Sequence, residues 1–539
     1  MTCSSFPLLL YDARQKRNRL EAQTPVRYSR GLPHQLIHRL AQLAPRLQPE
    51  QLHRVISAYG LEDCGELVAH ATPAQLSRVF DLDLWRPASP GLDEQFDAER
   101  FGVWIEVLVE ADVELAAEKL SQMPLEQIVA GFAHHARVFD IAAIAAYETI
   151  DGERVESRAV DRTPACDIGG YHLVARREDA WDAIVAVLLA LDAHHRRRFD
   201  ELMSALRPLS DSNPERDGLD VLLESGEQMM FDVGAERQER RTKQGFASPA
   251  DARAFLKMSR NVRPGAVPPP NPLARAYFRA VDSSPALDER DAPNAETDND
   301  VMELLTEAGV LPQQAPYGLL TGADDQSSGR LAEMHRYMRR VFERSPAAYE
   351  ERHADLAYLA NVLIAGCSIQ SRPFTAKEAS DAAAAICNLG LTKSPLPEDY
   401  LAGRDLVSIF QIGWTALHEE VAMFAARTLI DVVRRMRCAD KDIQRELNAL
   451  RVAMSRQVKA GTPWLAEPSL DAISMLDQPA WAALAALIAE CPVIHDALTA
   501  SLTARAESIN PHAFTFIACT ADLARVREFM ALLPDRLAG

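Results

Sequence analysis

Along residues 31–136 the apolar side chains recur at helical spacing, each series opening behind a proline. Gln48-Pro49-Glu50-Gln51-Leu52, Thr72-Pro73-Ala74-Gln75-Leu76 and Met123-Pro124-Leu125-Glu126-Gln127-Ile128 repeat one start signal. Proline suits the first helical turn, where its missing N–H would have no intrahelical partner anyway. Leu52, Val55 and Ile56, and likewise Leu76, Val79 and Phe80, then keep i, i+3, i+4 spacing, one face of a helix. Helices this short cannot bury their stripes alone, so the pattern predicts stacked helical repeats over residues 1–136.

The pattern changes after Val138. Ile144 to Thr149, then Asp151-Gly152, then Gly169-Gly170-Tyr171-His172-Leu173-Val174 read as two apolar segments around a turn, which predicts a small β element with Asp151-Gly152 at its hairpin. Helix returns from Trp181 to Leu206, with Trp181, Ile184, Leu188 and Leu191 on one face. Further on, Gly245 marks a helix stop and Ser248-Pro249-Ala250-Asp251 a helix start, predicting a helix from Pro249 to about Met258. Together these define a mixed region over residues 137–260.

Residues 261–300 form a boundary. Seven prolines crowd Arg263 to Asp300, and Asp282 to Asp300 carries seven acids against one arginine, a combination that resists collapse and reads as a linker or surface loop. Residues 301–539 then look almost wholly helical. Thr375-Ala376-Lys377-Glu378 is a capping box opening a helix expected to stop near Gly390, and Leu406 to Val433 reads as a longer amphipathic helix lightly interrupted by Gly413. Trp464, Trp481, Val493 and Phe516 indicate that the last hundred residues pack as well. The fold class expected is therefore mainly α, with a small β element in the middle and a helical C-terminal domain.

Composition narrows the function. With 539 residues, 47% of them hydrophobic, the chain has ordinary globular composition and length for several cores. Its net charge of -19 opposes general nucleic-acid binding, although the acidic stretch alone holds -6 of it. The eight cysteines include no CxxC pair, and Cys367 and Cys387 sit in apolar stretches, so they read as reduced packing residues in a cytoplasmic protein. The N-terminal segment lacks the order of a signal peptide, and the apolar runs Ala183–Leu191 and Ala480–Ala489 are about half of the roughly 20 residues a membrane span needs.

The densest basic patch is Arg237, Arg240, Arg241 and Lys243. On a helix, Arg237 and Arg241 share a face with Arg240 beside them, a fork able to hold a phosphate, a carboxylate or an acidic partner. Salt bridges to Glu236 or Glu239, or simple complementing of the helix C-terminus, compete with that reading. Arg196 to Arg198 and Arg434, Arg435 and Arg437 are weaker patches of the same kind. His418-Glu419-Glu420-Val421-Ala422 begins like a zinc-binding helix motif, but Ala422 stands where the second histidine belongs, leaving a surface or core-edge histidine as the plainer reading. Glu296, Asp298, Asp300 and Glu307 fit a calcium-loop template imperfectly, with Glu first and Val301 where glycine is required. His134-His135 and His194-His195 point about 100° apart on a helix and read as surface or edge residues. Neither GxGxxG, GxxxxGK[ST] nor GxSxG occurs, which disfavours common nucleotide enzymes and serine hydrolases.

Three segments, Phe101–Asp140, Glu236–Phe246 and Asp355–Ser368 followed by Ala385–Leu391, together resemble an uncharacterised bacterial family known only as a domain of unknown function. That resemblance implies no activity, cofactor or site residue. The proline-started helices are separately similar to the cytosolic domain of magnesium-transporter proteins and to the helical repeats of a flagellar switch protein, a likeness that bears on fold. The function expected is a non-catalytic cytoplasmic scaffold, adaptor or regulatory binding protein with a protein partner. The competing expectation is an enzyme with a dispersed site, with or without a metal, using His418, Glu419 and Cys367 between the middle and C-terminal regions.

Overall fold

A computed structural model describes residues 34–87, 92–141, 163–210, 219–262, 270–282, 301, 304–305, 329–369, 372–394, 405–436, 441–463, 479–495 and 514–537. The fold is mainly helical, with a few short strands. The chain divides into two compact units: residues 1–86, 95–237 and 287–311 in the first, and 87–94, 238–286 and 312–539 in the second.

The first unit begins with α1 (His34–Leu43), α2 (Pro49–Tyr59), α3 (Gly65–His70) and α4 (Pro73–Asp83). Proline stands at the first turn of α2 and α4, as its chemistry demands. Thr72 also closes a reciprocal box on α4: its hydroxyl accepts from Gln75 N at 3.2 Å while Gln75 Oε1 accepts from Thr72 N at 2.7 Å. Leu52, Val55, Ile56, Leu76, Val79 and Phe80 are all buried, so the spacing identified the inward face. After two short strands, β1 (Trp85–Pro87) and β2 (Glu94–Phe96), come α5 (Ala98–Ala111), α6 (Val113–Gln122) and α7 (Leu125–His135). Here the third proline differs from the expected pattern, because Pro124 is the N-cap and not the first helical residue.

Helices this short need more than apolar stripes, and three buried long polar side chains tie one to the next. Gln75 Nε2 donates to Ala44 O at 2.8 Å and Leu47 O at 2.6 Å. Lys119 Nζ donates to Ala71 O, and Gln127 Nε2 to Asp81 Oδ1 at 2.7 Å. Each satisfies carbonyls or carboxylates that burial would otherwise strand.

The β element has three antiparallel strands in the order β3 (Ala136–Asp140), β5 (Tyr171–Ala175), β4 (Ala165–Ile168). Its tight turn is Gly169-Gly170, with φ of 57° and 95°, between the paired residues Ile168 and Tyr171. Two positive φ values make a type I′ hairpin, whose twist matches the strands it joins and which glycine adopts without a Cβ clash. The expected reading gave Gly169-Gly170 to the second strand and put the turn at Asp151-Gly152, which lies outside the described residues. The helix expected from Trp181 to Leu206 breaks at His195 into α8 (Trp181–His194) and α9 (Arg196–Leu206). Trp181, Ile184, Leu188 and Leu191 are buried as the periodicity indicated.

Helix α10 (Leu219–Lys243) ends at Gly245, φ 89°, where Phe246 N reaches back to Arg241 O and Gly245 N to Thr242 O. These bonds satisfy the terminal carbonyls, which is the Schellman solution. In the second unit, α11 (Pro249–Met258) starts as predicted, Ser248 Oγ accepting from Asp251 N at 2.9 Å. Within the proline-rich stretch, α12 (Pro272–Asp282) packs Leu273, Tyr277 and Phe278 against the core of this unit. Most of the acidic segment and of the calcium-loop template lies outside the described residues.

The rest of the second unit comprises α13 (Ala332–Arg344), α14 (Pro346–Gly366), α15 (Ala376–Lys393), α16 (Leu406–Leu417), α17 (Met423–Arg435), α18 (Lys441–Lys459), α19 (Pro479–Ala489) and α20 (Thr520–Leu537). Two findings depart from the expected pattern, which was almost wholly helical with a helix stop near Gly390. Val493–His495 (β6) and Phe514–Phe516 (β7) form an antiparallel ladder, so Val493 and Phe516 are direct partners. Gly390 does not stop its helix, since α15 runs on to Lys393. At Gly390 and Gly413, α15 and α16 approach so closely that a Cβ on Gly413 would lie 2.0 Å from Ile386 O, and one on Gly390 2.1 Å from Ile409 O. Helix α16 is thereby sunk into the core. Its N-terminus is met by two carboxylates, Asp405 Oδ1 accepting from Ser408 N at 2.6 Å and Asp355 Oδ2 from Leu406 N at 3.0 Å.

Candidate functional site

The arginine-rich end of α10 is the first place to weigh. Arg237 is buried, donating from Nε to Asp81 O at 2.7 Å with its guanidinium 4.9 Å from the Trp85 ring centre. Arg241 pairs with Glu94 at 3.0 Å, both side chains mostly buried, and its guanidinium lies 4.8 Å from the Phe246 ring centre. Lys243 bridges to Glu239 at 2.7 Å along the helix, and Arg240 has interactions of its own. Arg237 and Arg241 are thus engaged in buried contacts, while the Lys243–Glu239 pair lies on the surface. Glu94 and Asp81 could not have been named from the sequence, because 147 and 156 residues separate them from their arginines.

In the weaker patch at Arg196 to Arg198, Arg196 and Arg197 are exposed and Arg198 is mostly buried. A shallow groove, wide open to solvent, runs along α9, lined by Leu125, Arg196, Arg197, Asp200, Glu201, Ser204 and Ala205. The charges alternate by helical register: Arg196 bonds Asp192 and Asp200, Arg197 Nε reaches Glu201 at 3.0 Å, and Arg198 bonds Met123 O. Arg196 NH2 also donates to Gly169 O at 3.0 Å, tying the start of α9 to the hairpin turn. Arg197 is the outward member, its side chain 94% exposed. Ala205 and Leu125 supply apolar surface among these charges, so the groove offers both signs of charge around a small apolar patch.

Residues 37–217 match the model of a family of unknown function, DUF6178. Apart from residues 87–94, that stretch lies in the first unit and includes the β element and the α9 groove. Of the three segments that resemble such a family, Phe101–Asp140 falls inside the match and the other two fall outside it. No curated protein matches the chain, and no solved structure does.

Within the matched stretch the strongest electrostatic arrangement is structural. Asp83 accepts from Arg100 Nε at 2.6 Å and Trp104 Nε1 at 2.7 Å, with His53 at 3.4 Å. Burial pushes its carboxyl up, but the hydrogen bonds from His53, Arg100 and Trp104 hold it well below the usual carboxylate range. His135 is fully buried, not at an edge, and bonds Ala98 O at 2.8 Å, with its pKa depressed mainly by burial. His134 accepts the expected edge position, stacked on Phe96.

In the second unit, His418–Ala422 is a single π-helical turn between α16 and α17, a wider turn often found at functional positions. His418 is 6% exposed, so it is a core residue, while Glu419 is exposed and Glu420 pairs with Lys393 at 2.6 Å. The turn therefore separates His418 from both neighbouring carboxylates. Burial lowers the His418 pKa to about 4, helped by the Arg260 guanidinium. Burial likewise pushes the Cys367 thiol up to about 12, which works against a thiolate nucleophile. Cys367 is half-buried and Cys387 fully buried, both as free thiols. Among the described residues, no group of three or more His, Cys, Asp or Glu side chains is placed to hold a metal ion, and no helix is long and apolar enough to cross a membrane.

Proposed function

We propose that the protein is a non-catalytic, cytoplasmic helical scaffold or adaptor that binds a protein partner along the α9 groove. The observation that carries this reading is the groove itself, set in the family-matched unit and lined by opposite charges around Leu125 and Ala205. Such a surface suits a partner segment of mixed charge, since complementary potentials select among partners and speed encounter. The similarity of the proline-started helices to the magnesium-transporter cytosolic domain and the view of them as stacked repeats belong to the same proposal, as do a bacterial source and a reducing compartment. The test is site-specific photo-crosslinking in native lysate, with the photoreactive residue at position 197 or 204. Both positions should yield an adduct of the same mass, lost in the R197E variant of the position-204 protein and absent from a control at exposed Glu343. Adducts at 343 equal to those at 197 and 204, or none at any position, would overturn it.

An enzyme with a dispersed site remains the second reading, favoured by the π-helical turn at His418. Stoichiometric zinc, manganese or iron in protein purified without chelator would turn the balance towards it.

A further inference from the structure

Helix α8 is apolar on every side, although only one side of it is covered. Trp181, Ile184, Val187, Leu188 and Leu191 are buried in the core of the first unit. A helix apolar all round is ordinarily enclosed. Here Val185, Ala186, Leu189 and Ala193 stand at i, i+1, i+4 and i+8, one outward face two helical turns long. Val185 and Ala186 are half-buried, Ala193 is exposed and Leu189 is 49% exposed.

That face has a shape and an order of charge. Leu189 projects, while Ala186 at i−3 and Ala193 at i+4 lie along one flank of it and leave a shallow hollow. An occupant must bring a hollow for Leu189 and a large apolar side chain for the alanines, and the same face turned through 180° supplies both. Charge points the same way. Exposed Glu178, Asp179 and Asp182 gather at the start of α8, while Arg196 and Arg197, with side chains 53% and 94% exposed, follow its end. Arg177 pairs with Asp179, and Arg196 and Arg197 with acids along α9, but bridges this exposed exchange partners at little cost. An antiparallel copy sets acids against arginines at both ends and opposes the two helix dipoles, whereas a parallel copy sets like against like.

We propose that two copies of this chain pair antiparallel through α8, each Leu189 seated beside Ala186 and Ala193 of the other. The contact is isologous, so it closes at two copies. One helix pair falls well short of the roughly 1,600 Å² of a standard interface, so the dimer is weak and forms with rising concentration.

The test is sedimentation velocity on the purified full chain, which should show a reversible monomer–dimer equilibrium at concentrations up to about 200 μM. The two-fold axis uses Leu189 twice, so L189S should weaken the dimer by about 10- to 100-fold. D182R sets arginine near arginine and should weaken it by about 3- to 30-fold. V452S, which trims an exposed valine on α18, should leave it unchanged. A photoreactive residue at position 189 should yield a product of twice the chain mass, joined to α8 of the second copy. A monomer at every concentration overturns the proposal, as does a dimer that L189S leaves intact. Crosslinks from position 189 only within the same chain also overturn it, because a segment such as Phe6–Tyr11 then covers α8. Leu189 lies outside the α9 groove and the readout is the purified chain alone, so failure here leaves the α9 reading intact.

Discussion

Replacing Gly413 by alanine adds one methyl group at the place where the structure has least room for it. The new Cβ would lie 2.0 Å from Ile386 O and 3.0 Å from Gly390 N, whereas ordinary contact begins at 3.4 Å. The deficit to Ile386 O is therefore about 1.4 Å, and both obstacles are backbone atoms of a helix, which no rotamer change can move aside. Relief requires α15 and α16 to separate, and a gap of about 0.5–1 Å already forfeits a quarter to a half of each dispersion contact across the seam. Leu406, Ile409, Phe410 and Leu417 on α16 all belong to the core that would loosen. Overpacking typically costs about 1–3 kcal/mol, and a backbone-to-backbone clash belongs at or above the top of that range. Alanine's better helix propensity returns about 1 kcal/mol, leaving a net loss of about 2–3 kcal/mol. Gly234 supplies the control: it too is helical, but its nearest obstacle is the Trp85 ring at 3.6 Å, so G234A should be neutral or slightly stabilising. The assay is urea denaturation of the full chain, followed by tryptophan fluorescence and far-ultraviolet circular dichroism. G413A should lower the midpoint of one transition and G234A should not. A G413A protein as stable as the parent would refute the close approach of α15 and α16.

Three further outcomes follow from named contacts. Asn388 donates to Arg330 O and Ala518 O and accepts from Met334 N, at 2.8–3.0 Å, so N388A should cost about 2–4 kcal/mol in the same denaturation assay by stranding three backbone groups. His418 has a folded-state pKa of about 4 against 6.5 when unfolded; the unfolded chain takes up a proton first, so stability present above pH 6.5 is lost as pH falls towards 4. At 1.36 kcal/mol per unit that loss is about 3 kcal/mol, and H418N should flatten this part of the pH profile; a profile identical to that of the parent would contradict it. D83N should destabilise the first unit by about 3 kcal/mol, because Arg100 then keeps a mostly buried charge without its carboxylate, and a thermal midpoint within one degree of the parent would count against that pairing.

Signals that depend on near neighbours in the chain were legible before any coordinates. The capping box at Thr375, the proline-started helix at Thr72-Pro73, the Ser248-Pro249 start, the Gly245 stop and the inward faces of α2, α4 and α8 follow from bonds spanning one or two helical turns. Their energetics are local, so sequence order suffices. The arginines of α10 were visible as a patch, but their use was not, because a guanidinium fits an external anion and a distant Glu94 equally well.

Tertiary contacts decided what each ambiguous residue is for. Gly169-Gly170 turns a hairpin, Gly245 ends a helix, and Gly390 and Gly413 do neither but let two helices touch; the residue is the same and only the atoms across from it differ. His418 looked like half a metal motif until a π-helical turn buried it and left Glu419 in solvent. Composition and periodicity established a mainly helical protein and several of its helix starts. Which polar side chains are buried together, and so where binding chemistry can reside, was set by packing between residues far apart in the chain, where hydrophobic period carries no information about partners.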